Sequence, residues 1–88
     1  MRYDEIYKIL PETIGNSIKE FLTYDGIQEI RIKAGKPIIL NLAFEEKVLD
    51  YIPTREDLRY MITKISNYSL YAFEEEIKQG YITLKGGH

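Results

Sequence analysis

The spacing of the hydrophobic residues changes twice along this 88-residue chain, and these changes limit the folds that it can adopt. Apolar residues recur at helical spacing up to about residue 22, at every second position around Ile30 and Ile32, and at helical spacing again after Thr54. Helices and strands therefore occur in blocks rather than in strict alternation. This order is typical of an α+β fold, with a small, mainly antiparallel sheet and helices packed on one face.

Two short helices are predicted before the first strand. Their apolar stripes are Tyr3, Ile6, Tyr7 and Leu10 in the first, and Ile14, Ile18, Phe21 and Leu22 in the second, which Pro11 can open. Gly26 is expected to end this region in a left-handed conformation. We therefore predict an N-terminal helical segment over residues 1–24 and an α+β domain over residues 25–88.

Three strands are predicted next, over residues 29–33, 38–42 and 48–52. Gly35 and Pro37 lie in the turn between the first two strands, where Gly35 is expected to supply a positive φ and Pro37 a fixed φ. A second turn is predicted at residues 45–47, because three charged residues in succession interrupt the apolar pattern.

The clearest helix is predicted to begin after Thr54, whose hydroxyl can cap it together with Asp57. A further helix is expected after residues 66–67, with Ser69 as its cap and Gly80 just past its end. A strand over residues 81–84 then leads to two glycines. Since a hairpin turn has a strand on both sides, we expect the domain to be incomplete at its C-terminal end.

The residues offer no catalytic, cofactor or metal site. The chain has no cysteine and a single histidine, His88, so a zinc site or a thiol nucleophile is not expected. The nearest approach to a phosphate-binding loop is Gly35-Lys36, but Ile30 replaces the first glycine and Pro37 replaces the hydroxyl residue. The acidic run at residues 74–76 is predicted to be a solvated helix face.

The best candidate for a functional surface is the charged side of the first strand. Arg31 and Lys33 are two residues apart and so share a face, and Lys36 follows in the turn. These cations could contact an acidic partner surface or a nucleotide phosphate held by another domain. An ordinary solvent-facing strand would have the same pattern. Net charge is −2, which argues against a nucleic-acid partner.

Two stretches carry a more specific resemblance. Residues 29–37, EIRIKAGKP, and residues 65–88, ISNYSLYAFEEEIKQGYITLKGGH, resemble the N-terminal region of the stage III sporulation protein AA family. The resemblance covers the chain from about Ile27 onward. It places Arg31, Gly35 and Pro37 on the family's charged strand and turn, and Asn67, Ser69 and Tyr71 on its helix break.

The resemblance implies a part of a hexameric secretion ATPase that serves a channel between mother cell and forespore. In that family the N-terminal domain is PAS-like, and ATP and Mg²⁺ bind in a C-terminal domain, so no cofactor is expected in residues 1–88. The expected location is cytoplasmic and peripheral at the mother-cell membrane. The expected partners are neighbouring subunits of a homo-oligomer and membrane proteins of the secretion complex.

Two functions follow as hypotheses. In the first, this is a non-catalytic assembly and regulatory domain that contacts an adjacent subunit through Arg31 and Lys33 or through Tyr71. In the second, it is a docking module that binds a membrane component of the same apparatus through its two N-terminal helices. A nucleic-acid-binding hairpin over residues 31–36 is a third and weaker possibility.

Overall fold

A computed structural model describes residues 7–21, 27–65, 67 and 71–85 of the chain. Its helices are α1, Glu12–Ile18; α2, Arg55–Ile65; and α3, Glu74–Lys78. Its strands are β1, Ile27–Lys33; β2, Ile39–Leu42; β3, Glu46–Val48; and β4, Tyr81–Lys85. Single 3₁₀ turns at Lys19–Phe21 and Tyr71–Phe73 follow α1 and precede α3. Most of the first predicted helix lies outside the described residues, and so does the predicted cap at Gly26.

The four strands form one antiparallel sheet in the order β3-β2-β1-β4. Strand β4 returns next to β1 after the two later helices, so it lies at one edge while β3 lies at the other. The predicted α+β class with a mainly antiparallel sheet is therefore confirmed.

The core lies between the sheet and the helices. One cluster of buried side chains joins Ile14 and Ile18 of α1 to Leu58 and Met61 of α2, to Ile77 of α3, and to the inward-facing residues of β1, β2 and β4. Since all three helices contribute to one cluster, they cover the same face of the sheet. Helix α1 thus packs on the sheet; the predicted division near residue 24 stays a prediction.

The third strand lies earlier than predicted. Residues 48–52 were expected to form it, but β3 is Glu46–Val48, and the chain reverses in a tight turn in which the Leu42 amide donates to the Glu45 carbonyl, at 2.8 Å. Of the three charged residues that suggested a turn, Glu45 does lie in one, but Glu46 and Lys47 lie in an edge strand, where charged side chains can point into solvent. No strand is assigned between Val48 and α2, although the Leu49 amide donates to the Ile38 carbonyl at 2.8 Å.

Helix α2 begins as the capping pattern predicts. The Asp57 amide donates to the Thr54 hydroxyl at 3.2 Å, and the Thr54 amide donates to the Asp57 carboxylate at 3.0 Å. Two donors at the helix start are satisfied by this reciprocal pair. Its side chains Leu58, Met61 and Ile65 are buried in the core, and Ile62 packs against them half-buried.

Helix α3 is shorter than predicted, because a 3₁₀ turn occupies Tyr71–Phe73 before it; Ser69, the predicted cap, is outside the described residues. The predicted solvated acidic face is correct for Glu75 and wrong for Glu76. Glu76 is half-buried, and its Oε1 accepts the Thr83 amide at 2.9 Å. The carboxylate thus satisfies a backbone donor on β4 that has no neighbouring strand.

Two glycines in turns have left-handed backbones. Gly35, between β1 and β2, has φ of 84°, and Gly80, between α3 and β4, has φ of 98°. These are the conformations that the turn and the helix end require. Two backbone bonds join the turns and the start of α2: Ala34 donates to the Gly80 carbonyl and Gly35 to the Pro53 carbonyl, each at 2.9 Å.

Candidate interaction surface

The sheet face opposite the helices is not covered by any described element. Along β1, Ile30 and Ile32 point into the core, and the residues between and beside them point to the other side. We call that side the open sheet face. Its residues, taken from the strand register, are Glu29, Arg31, Lys33, Ile39, Asn41, Glu46, Val48, Tyr81, Thr83 and Lys85.

Arg31 lies at the centre of this face. Its direct cross-strand neighbours are Thr83 on β4 and Ile39 on β2, and Ile39 is in turn opposite Val48 on β3. Val48 is 59% exposed. One row across the sheet therefore presents a hydroxyl, a guanidinium and two adjacent aliphatic side chains, which could contact another protein together.

A second row runs beside the first and fixes the position of Arg31. It consists of Lys85, Glu29, Asn41 and Glu46. One oxygen of Glu29, Oε1, accepts from Arg31 Nε at 2.6 Å and from Asn41 Nδ2 at 2.9 Å. An exposed ion pair of this kind contributes at most about 1 kcal/mol to stability, so its main effect is on orientation.

The guanidinium of Arg31 keeps donors free for a partner. Its side chain is 59% exposed, against 18% for Glu29. Glu29 engages Nε, and within the described residues the terminal nitrogens of Arg31 have no hydrogen-bond partner. A guanidinium held in this way can donate two parallel hydrogen bonds to a carboxylate.

A shallow hollow of about 260 Å³ lies over β1 and β4 on this face. Arg31, Lys33, Tyr81 and Thr83 surround it, together with Ile32 and Ile82 of the same strands. Lys33 and Tyr81 are directly opposite each other in the register. The hollow therefore combines two cations, an aromatic ring and a hydroxyl, a combination suited to an acidic segment of a protein partner.

The structure brings together only two of the four predicted interface residues. Arg31 and Lys33 share the open sheet face, as the alternation predicts. Lys36 lies in the turn beyond the end of β1 and is exposed. Tyr71 is 58% exposed but lies on the 3₁₀ turn before α3, apart from the sheet strands. Their roles at an interface stay predictions.

Most residues of the open sheet face were not singled out from the sequence, among them Ile39, Asn41, Val48 and Tyr81. Only strand pairing places them on the same face as Arg31. The alternation of Ile38, Leu40 and Leu42 with Ile39 and Asn41 is a signal for the first two. Val48 was expected at the start of the third strand, but no pattern places it opposite Ile39.

One buried acid, Asp57, lies away from this surface. It is 8% exposed, and it accepts from the Tyr51 hydroxyl at 2.5 Å, from the Thr54 amide at 3.0 Å and from the Thr13 hydroxyl at 3.1 Å. Burial alone would raise the pKa of Asp57, but these hydrogen bonds together lower it below its usual value. The same bond to Asp57 raises the pKa of Tyr51.

This cluster has a structural role. Its donors come from α1 and from the segment before α2, so Asp57, itself on α2, joins three parts of the chain. Both carboxylate oxygens are occupied by these donors. Among the described residues, no group of three or more histidine, cysteine, aspartate or glutamate side chains is placed to hold a metal ion. No helix in that part of the chain has the length and apolar character needed to cross a membrane.

Comparison with known proteins identifies the family. The model of the family described as "Sporulation stage III, protein AA" matches residues 1–88. Stage III sporulation protein AA of Bacillus subtilis (strain 168) is 38% identical over 87 residues, which cover 97% of this chain and 28% of that relative. No solved structure matches, so the PAS-like part of the expected fold stays a prediction. Residues 1–88 therefore belong to the Sporulation stage III, protein AA family and correspond to about a quarter of the length of its B. subtilis relative.

Proposed function

We propose that this chain is a non-catalytic assembly and regulatory domain of a longer sporulation protein, and that its open sheet face contacts a neighbouring subunit. The observation that supports this proposal most directly is the Arg31 row. There a guanidinium oriented by Glu29 lies in one row with the half-buried Ile39 and the exposed Val48. An apolar contact next to an oriented arginine is a common arrangement at the centre of protein interfaces.

The larger assembly is also part of the proposal. The relative is more than three times as long as the matched region. In the proposed arrangement, the remainder of the parent carries the ATP and Mg²⁺ site and forms a hexamer. The domain described here would then couple the position of one subunit to the nucleotide state of the next. The same arrangement would place the domain on the cytoplasmic side of the mother-cell membrane.

Charge reversal tests the surface in the complete parent protein. Arg31→Glu with Lys33→Glu is expected to weaken assembly by at least tenfold, because two cations that face the partner become anions. Sedimentation of the purified protein at several concentrations measures the change. Circular dichroism should be unchanged, since both side chains point into solvent.

A matched control has the same change in net charge on another surface. Lys19→Glu with Lys64→Glu reverses two cations that lie on helical turns rather than on the sheet. This control should assemble as the unaltered protein does. If both double variants weaken assembly equally, the effect is one of net charge, and the open sheet face is not the contact.

The docking hypothesis receives less support from the structure. It assigned partner binding to the N-terminal helices, but Ile14 and Ile18 of α1 are buried in the shared core. Their apolar side chains cannot contact a membrane component without first leaving the sheet. Recruitment that persists after the charge reversal at Arg31 and Lys33, with assembly lost, would show that the two functions are separate.

A further inference from the structure

The turn between β2 and β3 carries an exposed aromatic side chain. Phe44 is 100% exposed, and the bond from the Leu42 amide to the Glu45 carbonyl closes the turn that presents it. The two residues that follow, Glu45 and Glu46, are also exposed. The turn is therefore an apolar projection with two carboxylates beside it, and we call it the Phe44 tip.

A cavity with the opposite character lies between α2 and α3. It has a volume of about 230 Å³, and its apolar wall is formed by Leu58, Ile62 and Ile77. Three cations surround it, Arg55, Arg59 and Lys78. An enclosed apolar cavity of about 150 Å³ can hold benzene, so the volume of this space is large enough for a phenyl ring.

The tip and the cavity lie at opposite corners of the molecule. The tip joins β2 to β3, which is one edge of the sheet, whereas α3 packs beside β4, which is the other edge. The cavity also lies near Gly80, at the end of the strands where Gly80 bonds to Ala34. The Phe44 tip is at the far end of β2. One molecule therefore cannot fill its own cavity, but a second copy can.

We propose that the Phe44 tip of one copy inserts into the α2–α3 cavity of the next copy, in a head-to-tail contact. The ring of Phe44 would contact the apolar wall, and Glu45 and Glu46 would face the three cations. Within the described residues, Arg55 and Glu46 have no ion pair or hydrogen bond to another side chain. Arg59 and Lys78 pair only with glutamates of their own helices, and Glu45 pairs with Lys47 at 3.7 Å. Such surface pairs exchange at little cost.

A contact between two different surfaces repeats from copy to copy. It forms a closed ring when the rotation between neighbours closes and an open chain when it does not. Apart from Glu46, which lies at the edge of the open sheet face, this inference uses other surfaces. It shares with the proposed function only the premise that copies of the protein meet, so the two can fail separately.

The test uses the 88-residue chain and two variants that each remove one side of the contact. Phe44→Ala removes the tip, and Arg55→Glu with Arg59→Glu reverses charges beside the cavity. Unaltered chain is expected to self-associate at about 1 mM or below, as followed by sedimentation. Each variant alone should raise the dissociation constant at least tenfold. The altered residues are exposed, so circular dichroism should confirm an unchanged fold.

Mixing the two variants gives the decisive result. The Phe44→Ala chain still has an intact cavity, and the charge-reversed chain still has an intact tip. An equimolar mixture should therefore form a one-to-one pair, although neither variant associates alone. Three results would each overturn the inference: the mixture fails to pair, the Phe44→Ala chain still associates, or the unaltered chain is monomeric. Loss of association in Arg31→Glu with Lys33→Glu alone would instead implicate the open sheet face.

Discussion

The hydroxyl of Tyr51 donates a 2.5 Å hydrogen bond to the carboxylate of Asp57, which is only 8% exposed. Thr13 of α1 donates to the other oxygen of the same carboxylate, at 3.1 Å. The start of α2 is thus tied both to the segment that precedes it and to α1. A buried carboxylate with three donors is stabilising only while the donors are present, because an unpaired buried charge is costly.

Replacement of Asp57 by alanine is expected to lower the free energy of unfolding by about 2 kcal/mol or more, because the helix cap is lost and the hydroxyls of Tyr51 and Thr13 lose their acceptor. Urea denaturation measures the change. Asp50→Ala, at an exposed acid nearby, is the control and should change stability by less than about 0.5 kcal/mol. Equal effects of the two substitutions would contradict the structural role of Asp57.

The free energy of unfolding should depend on pH through the carboxylate of Asp57. The pKa of Asp57 is lowered in the folded state, so the unfolded chain binds more protons in the acid range. The contribution of Asp57 is therefore complete above the unfolded aspartate pKa of about 3.9 and is lost as the pH falls through the folded pKa. Asp57→Asn should remove this part of the acid sensitivity, as urea midpoints between neutral and acid pH would show. Identical pH profiles for both chains would contradict the prediction.

Glu76 should protect the amide of Thr83 on the edge strand. Its Oε1 accepts that amide at 2.9 Å. Glu76→Ala is expected to cost about 1 kcal/mol and to speed hydrogen exchange at Thr83, since the amide has no strand beside it. Glu76→Gln keeps an acceptor oxygen and should cost less. Glu75→Ala, at the exposed neighbour, should leave exchange at Thr83 unchanged, and a similar acceleration in that control would disprove the specific bond.

The cost of a substitution at Gly80 should depend on its backbone conformation rather than on the room around it. A Cβ at Gly80 would meet no atom within 4 Å, but its φ is 98°. Gly80→Ala is expected to destabilise the fold by about 1 kcal/mol, because left-handed backbone is strained for alanine. Gly80→Asn should cost less, since asparagine tolerates this region better. Thermal unfolding of both variants measures the difference; an alanine variant as stable as the parent would contradict this reason.

Local patterns predicted most of the elements. The capping pair Thr54 and Asp57, the alternation of Ile30 and Ile32, and the left-handed Gly35 depend on neighbouring residues in the chain, so spacing and residue type were sufficient. The strand at Glu46–Val48 was misplaced for the same reason. Charged residues indicate a turn by local rules, whereas their place on an edge strand depends on pairing with β2.

The sequence by itself determined the α+β class, the main helices and strands, and the shared face of Arg31 and Lys33. Only the tertiary structure decided that Ile39 and Val48 lie in one row with Arg31, that Asp57 joins α1 to α2, and that the Phe44 tip and the α2–α3 cavity lie at opposite corners. The physical reason is the distance along the chain over which each kind of interaction acts. Backbone preference and hydrophobic period act over a few residues, whereas strand register and core packing join residues that are distant in the chain.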